Sequence, residues 1–161
     1  MQTKDTYVLF RTPHSKHFTT LRQKNAPRTF LSLTDIPLTG GYVIAPFTTT
    51  DSCPIVFIEP DSITTNELVL PKLNMPHSTV STLNEETERS DYSRAFNTIK
   101  HLLNEASPKV EKVVLSRRLH CTSLNLTQAQ ELFTKACYYR PSSYVALWYT
   151  PQTGYWLVAT P

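Results

Sequence analysis

The side chain best placed to do chemistry is a lysine set inside a β-prone run, Glu111-Lys112-Val113-Val114-Leu115-Ser116-Arg117-Arg118. Its apolar, β-branched neighbours predict a buried strand, and burial disfavours the charged form of a lysine. A lysine amine that is neutral near pH 7 can act as a general base. The plainer alternative is a strand-edge lysine whose stem lies on apolar surface while its head reaches water. Other candidates have less support. Glu59, Asp61, Glu85 and Glu86 fall at turns or beside a long connection, where a solvated role is expected of a carboxylate. Cys53, Cys121 and Cys137 are odd in number and lack CxxC spacing, so they read as small buried hydrophobes in a reducing cytosol. The 5 histidines are dispersed, and none pairs at a metal-ligand spacing. Trp148, Tyr149, Tyr155 and Trp156 could stack on bases, but packing across a hairpin is the better expectation.

The elements that would carry these residues can be read in order. Tyr7 to Arg11 predicts a first strand, and Thr12 to Arg28 is polar and turn-prone. Thr29 to Leu33, Tyr42 to Phe47 and Ile55 to Ile58 predict short strands of an antiparallel sheet. Pro46 must end its strand or lie at an edge, because it cannot donate to a ladder. Residues 60–88 lack a period and read as a long surface connection. Ser90 then caps a helix whose Tyr92, Phe96, Ile99 and Leu103 share a face, and Pro108 ends it. A capping box, Thr127-x-x-Gln130, opens a second helix that runs to about Tyr138 and presents Leu132, Phe133 and Ala136. Ser143 to Tyr149 and Tyr155 to Ala159 flank Pro151-Gln152-Thr153-Gly154, a β-hairpin pattern.

The expected fold is therefore α+β, a mostly antiparallel sheet with two packed helices, in one domain over residues 1–161. A chain of 161 residues can bury a substantial core. The net charge of +3 is mild and its basic residues form no dense stripe, which argues against nucleic acid as a partner. No apolar run approaches a membrane span and no signal pattern opens the chain, so a cytoplasmic protein without a membrane partner is expected. With 3 glycines, none in a phosphate-cradling loop, P-loop and dinucleotide chemistry are disfavoured.

Four segments, agreeing in kind and in their order along the chain, carry a family resemblance. Lys112-Val113-Val114-Leu115-Ser116-Arg117 resembles the lysine strand of isochorismate synthases, members of the chorismate-utilising enzymes. Gly41-Tyr42-Val43-Ile44-Ala45-Pro46-Phe47 is similar to a strand of the same enzymes, and Arg140-Pro141-Ser142-Ser143-Tyr144 to their step into the hairpin. Trp156-Leu157-Val158-Ala159-Thr160-Pro161 resembles a fourth segment, with Val158 where the family usually has Gly and Thr160 where it has Ser. The resemblance covers most of residues 41–161 and is weak before them.

The resemblance implies that Lys112 is the general base, deprotonating a water that attacks C2 of chorismate while the C4 hydroxyl leaves. Anthranilate synthases, which use ammonia, typically carry Gln there, so Lys112 points to isochorismate or salicylate chemistry. In the family, the glutamic acid that assists departure directly follows the Thr160-Pro161 position. The glutamates that hold Mg²⁺ and the groups that grip the substrate carboxylates also lie further on. The chain is thus expected to be the N-terminal portion of an isochorismate synthase, about half of the family's fold, with Mg²⁺ used by the complete enzyme and none bound by this portion. Alone, this portion is expected to be inactive. The product would feed menaquinone or siderophore biosynthesis. Alternatives are a salicylate synthase, an anthranilate or aminodeoxychorismate synthase component, and a non-catalytic binding module derived from the family.

Overall fold

The computed structural model describes residues 5–69, 82–83, 85–104, 111–116, 120–121 and 124–161. Its elements are β1 (Thr6–Arg11), β2 (His17–Gln23), β3 (Arg28–Phe30), β4 (Tyr42–Ile44), β5 (Ile55–Ile58), β6 (Ser62–Glu67), β7 (Thr82–Leu83), α1 (Glu85–Leu103), β8 (His120–Cys121), α2 (Leu126–Tyr139), β9 (Tyr144–Thr150) and β10 (Gly154–Thr160). The fold is α+β with antiparallel sheets, as the sequence predicts. The chain divides into two compact units: Met1–Met75 with Asn125–Pro161, and Pro76–Leu124.

In the larger unit a five-stranded sheet has the order β10-β9-β1-β2-β6, antiparallel throughout. A smaller sheet, β3-β5-β4, covers one face, and α2 covers the other. Strand alternation sorts the side chains between these layers. Tyr7 and Leu9 of β1 and Val145 and Leu147 of β9 pack under Ala129, Phe133 and Cys137 of α2. Val8, Ala146 and Trp148 point the other way and meet Leu21 and Ile58. The two central strands are buried on both faces, so both read as near-continuous apolar runs. Burying a side chain such as Phe133 or Leu147 stabilises the unit by about 1.5–3 kcal/mol.

The cap of α2, Asn125, lies two residues before the predicted one. Asn125 Oδ1 accepts from Gln128 N at 3.0 Å, and Gln128 Oε1 accepts from Asn125 N at 2.9 Å, a reciprocal box. Ala129, Phe133 and Cys137, each four residues on, make its buried stripe. The hairpin forms where predicted: Gly154 adopts φ +70° in the turn, and Trp156 faces Trp148 with rings stacked at 6.1 Å. Tyr155 faces Tyr149 at 4.7 Å, so the aromatic cluster is cross-strand packing.

Other expectations change. The polar stretch 12–28 contains β2, and the connection 60–88 contains β6, both strands of the main sheet. Helix α1 begins at Glu85, which leaves Ser90 inside it rather than at its cap. In the smaller unit β7 pairs with β8, and Tyr92 stacks on Phe96 one turn along α1 at 6.4 Å. No described helix is long and apolar enough to cross a membrane.

Candidate functional site

Lys112 lies in the smaller unit. Residues 112–116 form no strand, and Lys112 is exposed, together with Val113 (42%) and Val114 (82%). This corrects the buried-strand expectation. Valines favour a strand only when a neighbour completes the ladder, and no described strand pairs with this segment. The low-dielectric surroundings expected around the amine are not there. What the segment does form is one wall of an apolar groove of roughly 520 Å³. Val113, Val114 and Leu115 face Phe96, Ile99 and Leu103 of α1 across it. Lys112 itself does not line this groove, and its side chain makes no ion pair or hydrogen bond among the described residues.

The other segments singled out in the sequence belong to the larger unit, and there they converge. Tyr144, at the start of β9, donates its hydroxyl to Tyr42 Oη of β4 at 3.2 Å, bridging the two sheets. Val158 of β10 packs in the same cluster, opposite Ala146, and Phe10 contributes a ring 6.0 Å from Tyr42 and 6.1 Å from Tyr144. Burial pushes both phenols above their ordinary range. Gly41 allows this approach. A Cβ there would sit 2.8 Å from Ile58 O and 2.6 Å from Phe57 Cζ, so only glycine fits against the buried phenyl ring.

Arg11 fixes the step from α2 into β9. It occupies the same face of β1 as Tyr7 and Leu9 and is 2% exposed. Its Nη1 donates to Pro141 O at 2.8 Å, and its Nη2 donates to Arg140 O at 2.7 Å and Ser143 O at 2.8 Å. These carbonyls sit just past the end of α2, where the helix dipole favours a cation. The planar fork of a guanidinium suits three acceptors on one turn of chain. Cys137 lies beside it. Burial pushes the Cys137 thiol up, and the nearby guanidinium opposes that shift.

Sequence reasoning gave Arg11 no role beyond the last residue of the first predicted strand. Its register with Tyr7 and Leu9, two residues apart, is the signal that places it inside. Among the carboxylates, Glu59 pairs with Arg28 at 2.8 Å and Asp61 Oδ2 accepts from Lys24 N at 2.7 Å, both exposed structural contacts. The Glu85 and Glu86 side chains lie outside the described residues, as does that of Cys121. Cys137 is buried as expected, whereas Cys53 is exposed, held in a turn by backbone bonds to Thr50. No group of three or more His, Cys, Asp or Glu side chains among the described residues could hold a metal ion. No protein-family model, curated protein or solved structure matches the chain.

Proposed function

We propose that the chain is the N-terminal portion of an isochorismate synthase, with Lys112 as its general base. The observation that carries this reading is the meeting of Tyr42, Tyr144 and Val158. They come from three separate segments that resemble the same enzymes, and they pack into one cluster across two sheets. β9 and β10 meet because they form one hairpin, so the non-local part of this meeting is β4 against β9, tied by Tyr42 and Tyr144. Among the described residues nothing pairs with the outer side of β10, and this agrees. β10 carries no charged residue to blunt that edge and exposes Trp156 (54%) and Leu157 (38%), as a strand covered by further polypeptide would.

In this reading Lys112 removes a proton from water, the resulting hydroxide adds at C2 of chorismate, the ring double bonds shift, and the C4 hydroxyl departs as water once protonated. One water enters and one leaves, so the reaction is an isomerisation. No group of three or more His, Cys, Asp or Glu side chains among the described residues could hold Mg²⁺, and in the enzymes the chain resembles the acid that protonates the leaving group directly follows the Thr160-Pro161 position. The role of this chain is to carry the base. Exposed as it is here, Lys112 needs apolar cover before its amine can serve, and Val113 and Val114 beside it are free to receive that cover.

Lys112→Gln in the native-length protein tests the assignment. Loss of a general base lowers the rate by about 10²–10⁴-fold, and isochorismate formation should fall accordingly while the protein stays folded. Unchanged turnover would remove Lys112 from the mechanism. The exposure of Lys112 favours a second reading, a non-catalytic module derived from these enzymes, in which Lys112→Gln changes no measurable property.

A further inference from the structure

Between α2 and the main sheet lies a second cavity, of roughly 460 Å³, entirely within the larger unit. That volume suits a small organic ligand. Its apolar wall is made by Tyr7, Leu9, Leu126 and a pair of phenylalanines, Phe18 and Phe133, whose rings meet edge to face at 5.6 Å. Beside this wall, lining the same cavity, are polar groups that the fold does not use. β2 presents Thr20 and Arg22, β6 presents Asn66, and α2 presents Gln130. Among the described residues, none of the side chains of Arg22, Asn66 and Gln130 makes a hydrogen bond or ion pair. Asp5 also lines the cavity, and it forms no ion pair with Arg22.

We propose that this cleft binds a small monocarboxylate carried on an aromatic or branched apolar body. The free guanidinium of Arg22 offers a bidentate donor fork to a carboxylate, and the amides of Asn66 and Gln130 stand ready for its remaining lone pairs. The apolar body lies against Phe18, Phe133 and Leu126. Asp5 sets the charge limit, since it repels a second carboxylate on the ligand and accepts an ammonium if one is present. Both plain carboxylates and amino acids meet this description. The site is independent of the isochorismate synthase reading, because neither Lys112 nor the Tyr42–Tyr144 pair lines it.

The test is an NMR titration of the ¹⁵N-labelled 161-residue chain with 3-phenylpropionate, L-phenylalanine and phenethylamine. Saturable amide shifts at Arg22, Asn66 and Gln130 are expected with the carboxylates and not with the amine. Tighter binding of L-phenylalanine than of 3-phenylpropionate would mean that Asp5 engages the ammonium. Equal or weaker binding would mean that the carboxylate alone is read. Arg22→Gln should weaken 3-phenylpropionate at least about tenfold, with a dispersed spectrum showing the variant folded. Should it fail to fold, Gln130→Ala, at an exposed helix position, is expected to weaken binding severalfold. The proposal is overturned if neither carboxylate saturates, if phenethylamine binds as tightly as 3-phenylpropionate, or if the folded variants bind like the parent.

Discussion

Replacing Arg11 by Met keeps most of the buried stem and removes the fork. The cost can be worked bond by bond. Pro141 O retains a bond from His14 N at 2.8 Å, and Arg140 O retains one from Ser143 N at 3.1 Å. Ser143 O, just before β9, has no such second backbone donor among the described residues. A buried acceptor left unmade costs about 1–3 kcal/mol, and losing a charge-assisted bond to an acceptor that keeps another partner costs less. Loss of the cation at the end of α2 adds up to about 2 kcal/mol. Against these stands relief of the burial of a charge that has no carboxylate beside it, which offsets part of the sum. The net expectation is a loss of about 3 kcal/mol, a large share of a domain stability of about 5–15 kcal/mol. With a urea slope of about 2 kcal/mol/M, the midpoint should fall by about 1.5 M. The assay is urea unfolding followed by tryptophan fluorescence, for which Trp148 in the core is a native probe. Arg11→Lys, which keeps the charge and loses the fork, should fall between the two. A midpoint unchanged or raised in Arg11→Met would refute the fork as the tie between α2 and β9.

Gly41→Ala should destabilise the larger unit by about 1–3 kcal/mol, because the new methyl collides with Phe57 and Ile58 O in a packed core; thermal unfolding measures it, and a neutral result would show that β4 can shift. Stability should fall as pH rises above about 9. Burial raises the Cys137 thiol from its usual 9.0, and likewise the Tyr144 phenol from 10.0. Such groups bind protons more tightly in the folded chain, so their contribution is fully present below the unfolded pKa and lost as pH climbs through the folded one. Cys137→Ala should flatten the earliest part of that decline in a series of urea midpoints against pH, and an unchanged slope would count against it. The 161-residue chain alone should show no chorismate turnover with Mg²⁺ present; measurable turnover would mean that its own residues supply the acid.

What the sequence revealed and what it hid follow from where each strand lies. The hairpin β9–β10 was legible because two aromatic, β-branched runs flank a turn that ends in a glycine with positive φ. β1 was legible because a central strand is apolar on both faces. β2 and β6 were not, since strands toward the sheet edge can be built from His, Thr, Ser and Asn, and every residue of β6 is exposed. The cap of α2 was displaced because Asn125-x-x-Gln128 and Thr127-x-x-Gln130 both satisfy the same box, and only the backbone decides between them. The run around Lys112 misled for the opposite reason: its β propensity is real, and no neighbouring strand among the described residues uses it. The free polar groups of the cleft come from β2, β6 and α2, so no local pattern could have announced them.

The most direct test of the central claim is the product formed when the native polypeptide, purified from its own cells, is incubated with chorismate and Mg²⁺. Isochorismate, resolved from chorismate by chromatography and formed without ammonia, is the predicted result. Salicylate, or anthranilate formed only when ammonia is supplied, would move the protein to a related enzyme of the family. Chorismate returned unchanged by a folded native polypeptide would contradict the enzyme reading and leave the binding module in its place.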